Sequence, residues 1–351
     1  MSTAGLTASR KLAERYSVVI RGLTAEEWSA PSRCAGWSVK DLVAHTGSNF
    51  KVMVDPPPHD PSAPVPTTAE QAQNLLVDAR RDWSSAQVAD EFLSNAAGAL
   101  GVLEAMQSSE LASTPMTLTD LGTYRTHQLS DAFAFDMWCH LYVDLLGPDG
   151  PVTRDTPDPE DDLVRTAVEW MWTGLPQMCT PVSGVLDRPL GVHLTGAGGG
   201  EWTLRPGSEL LTVESGTSGA DTVVRSSATD FVLWGTTRSP WRQHVSVEGD
   251  AAYAGRSSTP STSSEHRSVV GRSTGSGDGP RQAALEHGAE LRYRPAPPVH
   301  PAQIVDAEIL HVESSSAMAE REVTHGPPAM ILEVEHRTRF VVGGVPFLET
   351  R

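Results

Sequence analysis

The chain has 351 residues, 39% hydrophobic and 20% charged, which is ordinary globular composition and enough length for two domains. Its net charge of −17 argues against a nucleic-acid backbone or an anionic membrane as partner. No apolar run is long enough to span a bilayer, and the opening MSTAGLTASRKLAERYS lacks the apolar core of a signal peptide.

In chain order, residues 4–22 predict a first helix, with Leu6, Leu12, Tyr16, Val19 and Ile20 near a 3.6 period. A short acidic turn, TAEEW, follows. Pro31 and Gly36 mark a loop. Ser38 with Asp41 three residues on predicts a capped helix start, with a core stripe of Val39, Leu42, Val43, Thr46 and Phe50. His45 projects from the rim of that stripe, about 110° from its centre, where a lone histidine is expected to be partly exposed. The segment 55–68, DPPPHDPSAPVPTT, cannot be helical. Helices are expected over about 69–83 and 86–106, as one arm or two. The polar loop STPMTLTD follows.

The stretch LGTYRTHQLSDAFAFDMWCHLYVDLL, residues 121–146, predicts the central helix. From Ala132 to Val143 it is apolar on almost every side, the mark of a buried helix. Asp136 and His140 interrupt it. Four residues apart, they lie one turn above the other, about 40° apart in azimuth. A buried carboxylate needs a partner. A buried Asp–His hydrogen bond and a metal ion both satisfy it. His127 and Asp131 form a second such pair on the opposite side of the same helix, an outer or inter-helix face. Asp144 follows His140 by one turn and is placed to orient it. Residues 1–150 are therefore expected to form a helical bundle.

Residues 147–162, GPDGPVTRDTPDPEDD, read as a linker. A helix is expected over about 159–178. LGVHLTG, EWTLRP, ELLTVES and DTVVRSS then predict short strands, ATDFVLWGTT a helix and HVSVEGD a last strand. This is a small α+β domain within residues 151–256. Residues 257–351 begin as low-complexity sequence and predict a poorly ordered tail. Cys34, Cys139 and Cys179 are odd in number and show no zinc-ribbon or C-x-x-C spacing, which fits unpaired thiols in a reducing cytoplasm.

Facing helices of a bundle commonly build metal sites. His45, Asp136 and His140 offer two imidazoles and one carboxylate, suited to zinc or another first-row divalent ion with coordination positions left open. The run C-x-G-W-S-V-x-D-L-V-A-H, Cys34 to His45, resembles the N-terminal signature of the mycothiol-dependent maleylpyruvate isomerase family. These are DinB-like four-helix metal-binding bundles followed by a sterol-carrier-like domain. The resemblance extends through His140–Leu145 and on to W-T-L and V-S-V-E-G-D, covering residues 1–256. It implies a metal held by His45, Asp136 and His140. Asp136 stands where the family more often has glutamate, one methylene longer.

The resemblance further implies mycothiol as cosubstrate and a small electrophile as substrate, in a cytoplasmic monomer or dimer. A divalent ion lowers the pKa of a bound thiol. The thiolate would add to an electron-poor double bond, allow rotation and leave, which is cis–trans isomerisation; thiol transfer is the variant. Arg125, Arg238 and Arg242 are candidate anion clamps, or simply surface arginines. A non-catalytic metal-binding regulator and a ligand carrier are the alternatives on the same scaffold. The family's second domain closes with an apolar helix of the type F-L-D-A-I-N-I-I. One coding of that octapeptide, read one nucleotide later, encodes residues 257–264, SSTPSTSS, so a shift of reading frame or a fusion is expected there.

Overall fold

The computed structural model describes residues 2–58, 65–257, 341–342 and 345–346. The expected change of frame at 257–264 and the tail through residue 340 fall, apart from Ser257, outside the described residues.

Helix α1 (Thr3–Arg21) buries Leu6, Leu12, Tyr16 and Ile20 along one face. The expected acidic turn is a short helix, α2 (Ala25–Ser29), because Thr24 and Glu27 close a reciprocal capping box. Helix α3 (Val39–Val54) starts where its capping box predicts: Ser38 Oγ accepts from the Asp41 amide, and Asp41 Oδ2 accepts from the Ser38 amide. The helical arm is two helices, α4 (Ala69–Asp78) and α5 (Ser85–Ala105). The turn between them is anchored by Arg80, whose buried guanidinium donates to both Glu91 carboxylate oxygens. Helices α3 and α5 pack closely at Gly47, where a Cβ would stand 3.2 Å from the Phe92 amide nitrogen.

The central helix begins later than its pattern suggests. Residues 121–128 are not α-helical, though single 3₁₀ turns occupy Thr119–Leu121 and Thr126–Gln128. Strands β1 (Pro115–Thr117) and β2 (Thr123–Arg125) pair antiparallel instead. Thr119 (φ 47°) and Gly122 (φ 111°) turn the chain between them, and the β-branched Thr117 and Thr123 hydrogen-bond across the pair at 2.9 Å. Helix α6 (Leu129–Trp138) follows and runs on without a break into a wider turn, Cys139–Leu145. Its π winding is closed by the Leu146 amide donating to the Leu141 carbonyl, five residues back, at 3.0 Å.

Helix α7 (Asp161–Met178) packs on α1 and α6 and also on the helix α9 (Ala228–Gly235). A short helix, α8 (Thr180–Val185), leads into five strands: β3 (Leu190–Thr195), β4 (Gly200–Arg205), β5 (Thr212–Ser215), β6 (Val223–Ser227) and β7 (Ser246–Glu248). The sheet order is β5-β4-β3-β6-β7, with β3 and β6 parallel and the other neighbours antiparallel. Helix α10 (Ala251–Ser257) buries Tyr253 and Ala254. The chain is thus a helical N-terminal region followed by a small sheet-containing domain. Trp172 of α7 stacks on Phe231 of α9 at 4.6 Å and meets Trp202 of β4 at 5.3 Å, so one apolar core runs from helices to sheet. Within the later run MILEVEHRTRFVVGGVPF, strands β8 (Val341–Val342) and β9 (Val345–Pro346) pair antiparallel, and β8 lies beside α3. Among the described residues no helix is long and apolar enough to cross a membrane.

The β3–β4 turn seats the sheet on α7. Gly198 is left-handed (φ 75°), and a Cβ there would come within 2.6 Å of the Arg165 amide nitrogen. Gly216 is also left-handed (φ 85°) but has open space around it. Gly198→Ala should therefore lower stability by about 1–3 kcal/mol and by more than Gly216→Ala, as read by chemical denaturation. Equal losses in the two variants would remove the packing argument.

Candidate metal centre

His45 lies in the second turn of α3, a position fixed by the capping box at Ser38. It is buried, not partly exposed as its rim position suggests, because α6 closes over that side of α3 and brings Asp136 and His140 against it. Its ring packs against Trp37 at 5.2 Å and lies edge-on to the His140 ring at 4.9 Å.

Asp136 sits in the last full turn of α6, and His140 at the first wide turn after it. Asp136 Oδ1 is 3.3 Å from His45 Nε2 and 3.3 Å from His140 Nε2. Ligand atoms of all three residues lie within 4.8 Å of one another. Ligands about 2.0–2.1 Å from a tetrahedral zinc are separated by roughly 3.3–3.4 Å, the edge of the tetrahedron. Both contacts to Asp136 have that length. A direct charge-assisted N–H···O bond would be shorter, about 2.7–2.9 Å. The spacing suits a shared cation better than direct pairing. The His45 Nδ1 atom is buried and without a hydrogen-bond partner. The Asp136 side chain is 34% exposed while those of His45 and His140 are almost covered, so the cluster is reached from the Asp136 side.

Asp144 holds His140 in place. Its carboxylate is fully buried and accepts from His140 Nδ1 at 2.8 Å. A carboxylate only accepts, so this bond puts a proton on Nδ1 and turns Nε2, the atom that would ligate once neutral, toward Asp136. Asp144 also accepts from Arg238 Nε at 2.7 Å and Nη2 at 2.6 Å, and from Cys34 Sγ at 3.3 Å. Cys34, His140 and Asp144 make a second cluster of donor atoms with ligand spacing. The paired guanidinium of Arg238 already neutralises that carboxylate.

The charges follow from these contacts. Burial opposes ionised Asp136, but the charges of and hydrogen bonds from His140 and His45 outweigh it and hold its carboxyl below the ordinary range. Burial likewise opposes a charged His140. The Asp136 charge and hydrogen bonds to Asp136, Asp144 and Cys34 override it, so the imidazolium persists well above its usual titration. Asp144 is held low, against its burial, by Arg238 and His140. Burial, helped by the charges of Asp144 and Asp136, pushes the Cys139 thiol up to about 12, which leaves it inert, whatever its place beside His140 in sequence.

The other expected residues lie elsewhere. Asp131 bonds Ser2 at the start of α1, and burial raises its carboxyl to about 6. His127 has a buried Nδ1 without a partner, and burial lowers its imidazole. Neither belongs to the cluster. Of the candidate anion clamps only Arg238 comes near, ending on Asp144 behind His140. Arg125 donates to the Ser113 carbonyl, and Arg242 stacks over Trp241 at 4.5 Å. Sequence reasoning missed Tyr16. Its buried hydroxyl lies against Thr46 and close enough to feel the charges of His140, Asp136 and Cys34. Nothing in the α1 pattern separates it from an ordinary core tyrosine.

Residues 9–142 match the family model described as the mycothiol maleylpyruvate isomerase N-terminal domain. That span contains His45, Asp136 and His140. Two solved structures, of the mycothiol-dependent maleylpyruvate isomerase and of a mutant of it, are similar at 14% identity. Each alignment covers 69% of this chain and 91% of the other, with TM-scores of 0.43 and 0.44. No curated protein matches the chain. Through residues 9–142 the chain is thus similar to the mycothiol maleylpyruvate isomerase N-terminal domain.

Proposed function

We propose that His45, Asp136 and His140 hold one divalent metal ion, zinc by its ligand chemistry. On this reading the protein is a mycothiol-using isomerase or thiol transferase acting on a small electrophile. The observation that carries the reading is the convergence of the three ligand atoms within 4.8 Å, with Asp136 at tetrahedral-edge spacing from both imidazoles, inside the family-matched segment. The ion, when bound, would lower the pKa of a thiol presented to it.

The chain's own residues supply the rest. Asp144 fixes the tautomer of His140, and Arg238 neutralises Asp144 so that this carboxylate stays ionised in the core. The exposed side of Asp136 admits thiol and substrate. Trp37 packs against the His45 ring and limits water there. A shorter aspartate in place of the usual glutamate is tolerated because α6 already brings its carboxylate to 3.3 Å from both imidazoles.

His140→Ala should abolish stoichiometric metal, read by elemental analysis, while far-UV circular dichroism keeps most of the helix signal. Full metal content in that variant would end the proposal. Adding mycothiol and an unsaturated diacid should give a turnover that disappears on metal removal. Equal turnover by the metal-free protein would exclude the mechanism.

Asp144→Asn should weaken metal binding by about 10–100-fold by loosening His140. It should also lower the melting temperature of the metal-free protein, because it leaves the Arg238 guanidinium without its anionic partner.

Acid should favour the metal-free state. A ligating imidazole must be neutral, and His140 in the metal-free protein is raised above its unfolded value. That raised value stabilises the metal-free fold fully below about pH 6.5, and the contribution fades as pH rises through the folded value. Metal binding displaces the proton, so apparent affinity should fall about tenfold per pH unit for each proton displaced. The gap in melting temperature between metal-loaded and metal-free protein should therefore widen from pH 6 to pH 8. A gap that is constant across that range would contradict the charge assignment.

A further inference from the structure

A cavity of about 520 Å³ lies beside the metal centre but separate from it. It is bounded by the end of α6, the connection around residues 147–160 and the loop after α9, and none of His45, Asp136 and His140 lines it. Its wall is apolar at Trp138, Tyr142, Leu146 and Leu233, and its charged lining is mixed, with Arg15 paired to Glu160 and Arg33 to Asp149.

Asp230, Ser239 and His244 also line it. Ser239 Oγ is 2.6 Å from His244 Nε2, and His244 Nδ1 is 3.0 Å from Asp230 Oδ1. A carboxylate only accepts, so Asp230 accepts a hydrogen bond from the Nδ1 N–H, and the Nε2 lone pair faces the serine hydroxyl. The second carboxylate oxygen of Asp230 accepts from Ser227 Oγ at 2.7 Å, which fixes its orientation. Serine, histidine and aspartate thus form a connected relay with both links at hydrogen-bond length, a constellation recognised by geometry and not by chain order.

The surroundings bear on what this relay does. Thr237, two residues before Ser239, is a non-glycine residue in the left-handed region (φ 62°). Arg33 Nη2 donates to the carbonyl of Arg238, the residue that precedes Ser239, at 3.0 Å, which brings positive charge beside the serine. A network that only closed the loop would need neither a cavity nor a serine on its wall. The His244 side chain is 20% exposed, and all three relay members face the same space.

We propose that Ser239, His244 and Asp230 form an acyl-transfer site that hydrolyses small carboxylic esters with an apolar acyl group. Ser239 Oγ bonds to the ester carbonyl carbon as its proton passes to His244 Nε2. The carbon–oxygen bond to the alcohol breaks, and the alcohol leaves with that proton. Water then attacks the acyl-serine, giving its proton to His244. The acid departs as the proton returns to Ser239. One ester and one water give one acid and one alcohol. Asp230 is a positioning residue that holds the Nδ1 tautomer. The apolar wall takes the acyl chain.

The test uses the full chain, a fluorophosphonate probe and p-nitrophenyl butyrate. It needs neither metal nor mycothiol, so its outcome is separate from that of the metal proposal. The expected result is a single stoichiometric phosphonyl adduct mapped by peptide mass spectrometry to Ser239, together with ester turnover. Ser239→Ala should lose the adduct and cut turnover about 10³-fold. Asp230→Asn should lower kcat with KM unchanged, a split that simple loosening of the loop would not produce. Absence of an adduct at Ser239 in the unaltered protein would overturn the proposal without reliance on any variant. So would undiminished ester turnover in Ser239→Ala.

Discussion

The interaction on which the rest depends is the burial of the Asp144 carboxylate. A carboxylate with no exposed surface is stable only if it is paired and hydrogen-bonded. Asp144 meets this with donors from three separate pieces of chain: His140 on its own helix, Arg238 from the loop after α9, and Cys34 from the loop before α3. Breaking such a pair by removing one partner strands a buried charge, which costs about 3–5 kcal/mol. The second domain is therefore docked on the helices by more than apolar contact. The guanidinium fork of Arg238 reaches into the helical core and ends on the residue that orients His140.

That arrangement explains the local winding of the central helix. Had α6 continued with ordinary winding, His140 and Asp144 would still be neighbours, but the following residues would leave the helix axis differently. The wide turn from Cys139 to Leu145 lets the chain hold His140 toward α3 and Asp144 toward Arg238 at once. Insertion of a wider turn into an α-helix costs backbone hydrogen-bond geometry, and such turns are frequent at functional sites. Here it occurs at the histidine that serves both the cluster with Asp136 and the pair with Asp144.

The parts of the molecule legible in sequence were those written as local periodicity or local capping. Ser38 and Asp41 announce α3, and the apolar surround of Asp136 and His140 announces a buried helix. What was not legible depended on distant contacts. His45 looked like a rim residue because its own helix cannot show that α6 covers it. The helix expected from Leu121 gave way to the β1–β2 pair because a turn at Thr119–Gly122 and the threonine contact outweigh the helical pattern there. Arg238 read as one arginine among three; only the docking of the second domain distinguishes it. The wide turn has no sequence mark at all, since Cys139–Leu145 is as apolar and as periodic as the residues before it.

The same docking places the two proposed sites back to back. Arg238 points its guanidinium to Asp144, and through Asp144 to His140. Its carbonyl is held by Arg33, and its neighbour Ser239 faces the cavity. The backbone at this point cannot move toward one site without moving away from the other. Asp144 is buried and cannot rotate out to follow it, because a displaced carboxylate would lose three donors in a medium where each is worth more than in water. The position of Ser239 relative to His244 is thus set by a charge pair on the far side of the loop. Rigidity at the buried Asp144 is transmitted to the cavity wall by a single residue, Arg238.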